Sequence, residues 1–215
     1  MRIRLLAVLA GLLSLSMVAA SPVGAAADLT RAHVLKAFLT DGNLGSKWHS
    51  SENGAGDGPS TGGCFASFAY AAVGLQREIE RNHRYSNKPL FISQNIQVYG
   101  TADQAEDDFA NGVETFADCT RYSVDGRTWK VATLSSPTYA DQRAKYRVSG
   151  PLATKKGLVQ VTTYLVATRH GRFQTLVALT VRGNGLTKAQ LHAYENKSTQ
   201  FSRKATAKLA LVLGG

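Results

Sequence analysis

Five histidines, His33, His49, His83, His170 and His192, are the side chains here best suited to move a proton near neutral pH or to hold a transition metal. No two lie within five residues of each other, so the H-E-x-x-H spacing that sets two imidazoles on one helix face is absent. Neither a G-x-S-x-G elbow nor a phosphate-cradling loop ending in Gly-Lys-Ser/Thr occurs, and Gly54-Ala55-Gly56-Asp57-Gly58 reads as a flexible loop. Asp103, Glu106, Asp107 and Asp108 lack the alternate spacing of a calcium loop. Cys64 and Cys119 are the two thiols, readable as a nucleophile beside a histidine or as one disulfide. No cofactor, no metal and no catalytic residue is expected from these patterns. What remains is charge. Arg143, Lys145 and Arg147 alternate with Ala144, Tyr146 and Val148, which in a strand places the three cations on one face as a candidate ligand-binding surface.

Charge is unevenly distributed over the 215 residues, whose formal net charge is +10. Residues 28–119 carry 7 Lys/Arg and 12 Asp/Glu, a net of −5, whereas residues 120–215 carry 16 and 3, a net of +13. Besides the β-patterned triplet, Lys155, Lys156, Arg169 and Arg172 fall at neighbouring turns, and Lys188, Lys197, Arg203, Lys204 and Lys208 stud the last segment. Such a surface either keeps the chain soluble or attracts an anionic envelope polymer or acidic lipid headgroups. Nucleic acid is not the expected partner, because the strands show no aromatic stacking platform.

The amino terminus bears on the compartment. Arg2 and Arg4 precede an apolar run, Leu5 to Ala20, and Ala25-Ala26-Ala27 supplies small residues for cleavage. The run, 16 residues, is short for a membrane span of about 20. The expectation is a cleaved signal peptide over 1–27, a single domain over 28–215 with no transmembrane segment, and a secreted, extracellular location. Arg2-Ile3-Arg4 is not a twin-arginine pair, and no cysteine offers a lipid anchor near the cleavage site. In an oxidising compartment the two cysteines read as one disulfide, Cys64–Cys119, and a free thiol is the alternative.

The elements that must position these groups follow from periodicity. Ala27 to Leu39 reads as a helix ended by Thr40-Asp41-Gly42-Asn43, and Gly45 to Gly63 as an exposed loop holding Trp48. Phe65 to Gln76 fits helix or strand. Glu78–Arg84 and Leu90–Tyr99 alternate as strands, the second with Ile92, Gln94, Ile96 and Val98 on a mixed face expected to be partly exposed. Thr101-x-x-Gln104 is a capping box opening a helix with Ala105, Phe109, Val113 and Phe116 in one stripe, closing at Cys119. The period then becomes two: Asp125-Gly126 marks a hairpin, and Trp129–Leu134, Gln142–Val148, Leu158–Thr168 and Phe173–Val181 read as strands, the last two central. Thr187 caps a final helix with Leu191, Tyr194, Phe201, Ala205 and Leu209 facing the sheet. The fold class is α+β: a single antiparallel β-sheet flanked by helices, with one disulfide.

In this order the chain resembles the PknH-type extracellular sensor domain of actinobacterial receptor kinases, also found in stand-alone exported proteins. The resemblance lies in Leu39-Thr40, Leu44-Gly45, Trp48, Cys64, Tyr99-Gly100-Thr101-Ala102, Ala105, Phe109, Phe116-Ala117-Asp118-Cys119, Val177 to Val181 and Arg182-Gly183-Asn184. It implies an antiparallel sheet with flanking helices, a cleft for an unknown extracellular ligand, and no catalytic residues. Receptor-kinase sensors of this type usually carry two disulfides, whereas this chain can form one, and it has no kinase domain. The function expected is a secreted, non-enzymatic ligand-binding or sensor-like domain of the cell envelope; the alternative is a secreted hydrolase with an unrecognised site. Mass spectrometry of exported protein should find an amino terminus at Asp28 and no free thiol; two free thiols would remove the disulfide.

Overall fold

Strands from both halves of the chain build one eight-stranded antiparallel sheet in the computed structural model, which describes residues 29–51, 64, 73–136 and 138–214. The signal segment 1–27, most of the Gly-rich stretch and residues 65–72 of the helix-or-strand segment Phe65 to Gln76 lie outside the described residues, while Leu75 and Gln76 are strand. The strands are β1 (Trp48–Ser51), β2 (Leu75–Tyr85), β3 (Leu90–Tyr99), β4 (Arg121–Val124), β5 (Arg127–Thr133), β6 (Gln142–Thr154), β7 (Gly157–His170) and β8 (Phe173–Arg182). Their order is β1-β2-β3-β8-β7-β6-β5-β4, so β8 and β7 are central, as their apolar content predicts. Helices α1 (Arg31–Lys36), α2 (Asp41–Leu44), α3 (Ala102–Ala117) and α4 (Lys188–Leu213) complete the described elements.

Strand alternation sends side chains to two separate cores. On one face Ile92, Val177, Leu179 and Val181 meet Phe201 and Ala205 of α4, while Val34 and Phe38 of the α1 region pack with Ile96, Val98, Phe173 and Leu209. On the other, Phe109 and Phe116 of α3 meet Tyr122, Trp129, Tyr146, Val148 and Leu165. The Phe116 ring stacks on Tyr146 at 4.6 Å.

Each helix begins at a threonine whose hydroxyl accepts an otherwise orphaned backbone N–H. Thr40, Thr101 and Thr187 form reciprocal capping boxes with Asn43, Gln104 and Gln190. The first box changes one expectation. Thr40 is extended and restarts a helical turn, so the helix read over 27–39 is confined to Arg31–Lys36 and Asp41–Leu44 is helix rather than terminator. The loop read from Gly45 likewise gives way at β1. Its first residue, Trp48, is buried with Tyr85 and Phe201 edge-on to its ring at 5.2 and 5.7 Å, so the indole is a core residue.

The expected partial exposure of the Ile92–Val98 face is also corrected. α1 and α4 cover it completely, and Gln94 is fully buried. Its carboxamide accepts the Leu39 N–H at 2.8 Å and donates to Thr175 Oγ1 at 3.3 Å. Without partners a buried amide would cost about 1–3 kcal/mol; with them Gln94 ties the α1–α2 connection to the sheet.

Cys64 and Cys119 form the disulfide, with Cα atoms 6.0 Å apart across a separation of 55 residues. The crosslink follows α3 directly and closes the loop that holds β2, β3 and α3, a constraint worth about 4 kcal/mol in the chain-entropy model. At Asp125-Gly126 both residues take positive φ, 49° and 70°, the geometry of a two-residue hairpin turn.

Gly150 shows how tightly the α3-side core is filled. A Cβ built there would lie 2.5 Å from Cδ2 of Trp129. Gly150→Ala should therefore lower stability by about 1–3 kcal/mol in urea denaturation, and most of that loss should vanish in a Trp129→Ala background, where the indole is gone.

Candidate anion-binding groove

The three alternating cations of β6 do share a face, the one on which α4 lies, but they meet different surroundings. α4 packs on β7 and β8, and its flank reaches over the middle of β6. Lys145 is 5% exposed, and its Nζ donates to Glu195 Oε1 of α4 at 2.9 Å. It is a structural ion pair. Arg143 is half-buried and donates from Nη1 to the Ala140 carbonyl at 3.2 Å. Arg147 borders open space beside its register partner Tyr164. Burial pushes the Tyr164 phenol up to about 12, so it stays a neutral donor, held on the Leu191 carbonyl at 2.7 Å.

Register supplies two further cations that periodicity within one strand does not reveal. The two-residue turn at Asp125-Gly126 pairs Val124 with Arg127 and, three steps on, Arg121 with Lys130. Lys130 in turn faces Ser149, and Arg147 is two residues along β6 from Ser149. A spacing argument started from the hairpin turn would have found both.

These residues line a groove of about 490 Å³, walled by Thr120, Arg121, Thr128, Lys130, Arg147 and Ser149. Every polar side chain in that wall is a cation or a hydroxyl. The groove opens where the β5–β6 ladder stops, at Lys130–Ser149, while β6 and β7 continue pairing to Thr154–Gly157. Arg121 and Lys130 are exposed, and neither has an acidic partner among the described residues. Directly opposed cross-strand residues have Cβ atoms about 4.5–5.5 Å apart, and like charges there are destabilising. An anion between them relieves that repulsion and gains charge-assisted hydrogen bonds.

The histidines do not assemble a proton relay. His83 Nδ1 meets Asp41 Oδ1 at 2.9 Å, and Ser50 donates to that same carboxylate oxygen at 3.4 Å. The serine thus contacts the acid, while His83 Nε2 is buried with no hydrogen-bond partner among the described residues. His49 Nε2 lies 2.6 Å from Ser86 Oγ, but the Ser86 hydroxyl donates to the Lys47 carbonyl, leaving the ring N–H as donor. A serine nucleophile needs the opposite polarity. Among the described residues no three His, Cys, Asp or Glu side chains converge on a metal position. The end of the sheet near α3 holds a separate network: Arg169 bonds Glu106 Oε2 at 2.9 Å and Gln142 Oε1 at 2.6 Å, with Asp141 Oδ2 at 3.9 Å.

No family model matches this chain, and no curated protein does. Among solved structures it is similar to the extracellular domain of PknH from Mycobacterium tuberculosis, at 10% sequence identity and a TM-score of 0.53, over 82% of this chain and 92% of that one. That likeness establishes a shared fold.

The assignment of Lys145 to structure and the groove to binding separates in mutants. Glu195→Ala leaves a buried ammonium unpaired and should cost about 3 kcal/mol in denaturant unfolding. Lys145→Met with Glu195→Leu together should be nearly neutral, and Arg121→Gln or Lys130→Gln should leave stability unchanged or slightly raised.

Proposed function

We propose that this chain is an exported, non-enzymatic binding domain of the cell envelope, sensor-like in architecture, whose ligand carries negative charge and sits in the β4–β5–β6 groove. The observation that carries the reading is the Arg121–Lys130–Arg147 cluster, set in a concavity without a carboxylate in its wall. Supporting it are the export pattern of residues 1–27 and a disulfide, which persists in oxidising compartments. No described helix is long and apolar enough to cross a membrane. The solved neighbour is itself an extracellular domain.

The competing reading, a secreted hydrolase, draws on the His49–Ser86 and His83–Asp41–Ser50 contacts. In both the hydroxyl points its proton away from the imidazole, so neither favours it.

Calorimetric titration with inorganic tripolyphosphate tests the proposal. Binding should weaken as salt rises, and Arg147→Ala and Lys130→Gln should each lower affinity about 5- to 10-fold, the loss of one charge-assisted contact in a partly solvated site. Absence of binding at low salt, or turnover of ester, peptide or glycoside substrates that is lost in a Ser86→Ala or Ser50→Ala variant, would overturn it.

A further inference from the structure

We infer that the groove is one end of a track for a linear polyanion, which continues along β6 to the tip of the β6–β7 hairpin. This rests on the anion-binding reading of the groove and extends it to a class of ligand. Three observations define the track.

The first is spacing. Arg121 and Lys130 are direct cross-strand neighbours, and Arg147 is diagonal to Lys130 through Ser149. Diagonal neighbours stand about 7–8 Å apart. The groove thus offers two anion positions, one between Arg121 and Lys130 and one at Arg147, rather than a single point of charge.

The second is the projecting hairpin. Beyond Ser149 on β6 and Val161 on β7 the neighbouring strands no longer pair, and the two strands run on to a tip at Lys155-Lys156. From Ser149 to the tip is about 17–20 Å at 3.3 Å per residue. Both lysines are exposed, and neither has an acidic partner among the described residues. A small anion cannot bridge the groove and the tip; a chain of anions can.

The third is the absence of countercharge along the way. Residues 142–170 contain six Lys/Arg and no Asp or Glu. The wall between groove and tip is neutral, with Thr128, Pro151 and Ala153 on the groove side of the sheet by strand alternation. A polymer passing there meets no repulsion. Asp103, Glu106, Asp107 and Asp108 sit at the start of α3, which packs on the opposite face, and Glu195 of α4 is taken up by Lys145.

A flat bilayer fits this arrangement less well. Arg147 is half-buried in a concavity beside α4, out of reach of a plane resting on the hairpin tip. Leu158, 61% exposed next to the tip, is suited to a membrane surface, and it enters the test for that reason.

The experiment compares orthophosphate, tripolyphosphate and long-chain polyphosphate by calorimetry on the disulfide-bonded chain, with Lys155→Gln/Lys156→Gln and Arg147→Ala/Lys130→Gln double variants. Long-chain polyphosphate should bind at least 10-fold tighter than tripolyphosphate. The tip variant should erase that gain while leaving tripolyphosphate binding unchanged, and should reduce the salt slope by about 2, one for each lysine. The groove variant should weaken both ligands. Equal affinity for long and short chains, or a tip variant without effect on the long one, refutes the track and leaves the groove reading standing. No binding of any phosphate refutes the groove reading itself. Capture by phosphatidylglycerol vesicles that depends on Leu158 and the lysine pair, but not on Arg147, assigns the tip to a membrane and overturns the track.

Discussion

The pairing of β3 with β8 holds the molecule together. It joins Leu90 to Val181 and Val98 to Phe173, segments far apart in sequence, and turns two separate meanders into one sheet. Closing so large a loop is unfavourable until the contacts inside it form. Here they are fully buried: Ile92 beside Leu179, Gln94 beside Val177, Ile96 beside Thr175. Two devices shorten the search. The disulfide ties the end of α3 to the segment before β2, and α4 lays Phe201, Ala205 and Leu209 across the same seam. Lys208 and Lys204 then donate to the carbonyls of Phe38 and Asn43, so the last helix clamps the first elements of the chain.

The sheet also sorts charge. α3 brings its acids to one face, and Arg121, Lys130, Arg143, Lys145 and Arg147 lie on the other, which gives the sequence imbalance of −5 and +13 a spatial meaning. The bridging exception is Arg169, which reaches Glu106 from the end of β7 and fastens α3 to the sheet. Tyr99 serves the same end of the helix: its hydroxyl donates to Asp108 at 2.5 Å, and burial together with that carboxylate raises the phenol far above its ordinary value. Several cations outside the groove are taken up by structure: Lys145 by a carboxylate, Lys204 and Lys208 by carbonyls, and Arg182 by the Phe91 face beneath it.

Much of this architecture was legible before any coordinates. Alternation from Tyr122 onward, the Thr101 and Thr187 boxes and the Asp125-Gly126 turn are local signals, and local signals decide strands, caps and hairpins. The misreadings share a cause, which is tertiary cover. Gln94 looked like a marker of exposure because a polar residue on a strand face usually is one; only the approach of Leu39 and Thr175 makes it a core residue. Lys145 looked equivalent to Arg143 and Arg147 because alternation within a strand is blind to which part of the face a helix will cross. Arg121 and Lys130 were overlooked for the complementary reason. Their meaning lies in register between strands, which the hairpin turn encodes but composition does not.

The placement of the groove follows from where stability can be spared. Binding residues that repel one another weaken the ladder carrying them, by about 0.2–1 kcal/mol for a directly opposed pair. At the β3–β8 seam that loss would fall on contacts everything else depends on. At β4–β5, the outer hairpin, it falls on a pair that the core reaches from the other face, through Tyr122, Trp129 and Val131. Because alternate residues point to opposite sides, the strand can be anchored by its odd partners and charged by its even ones. Trp129 holds β5 against Gly150 while Lys130, the next residue, is left to solvent. An edge hairpin gripped on one face and cationic on the other is therefore the place in this sheet where a binding surface least disturbs the fold, and the ligand's charge returns the stability that the opposed cations remove.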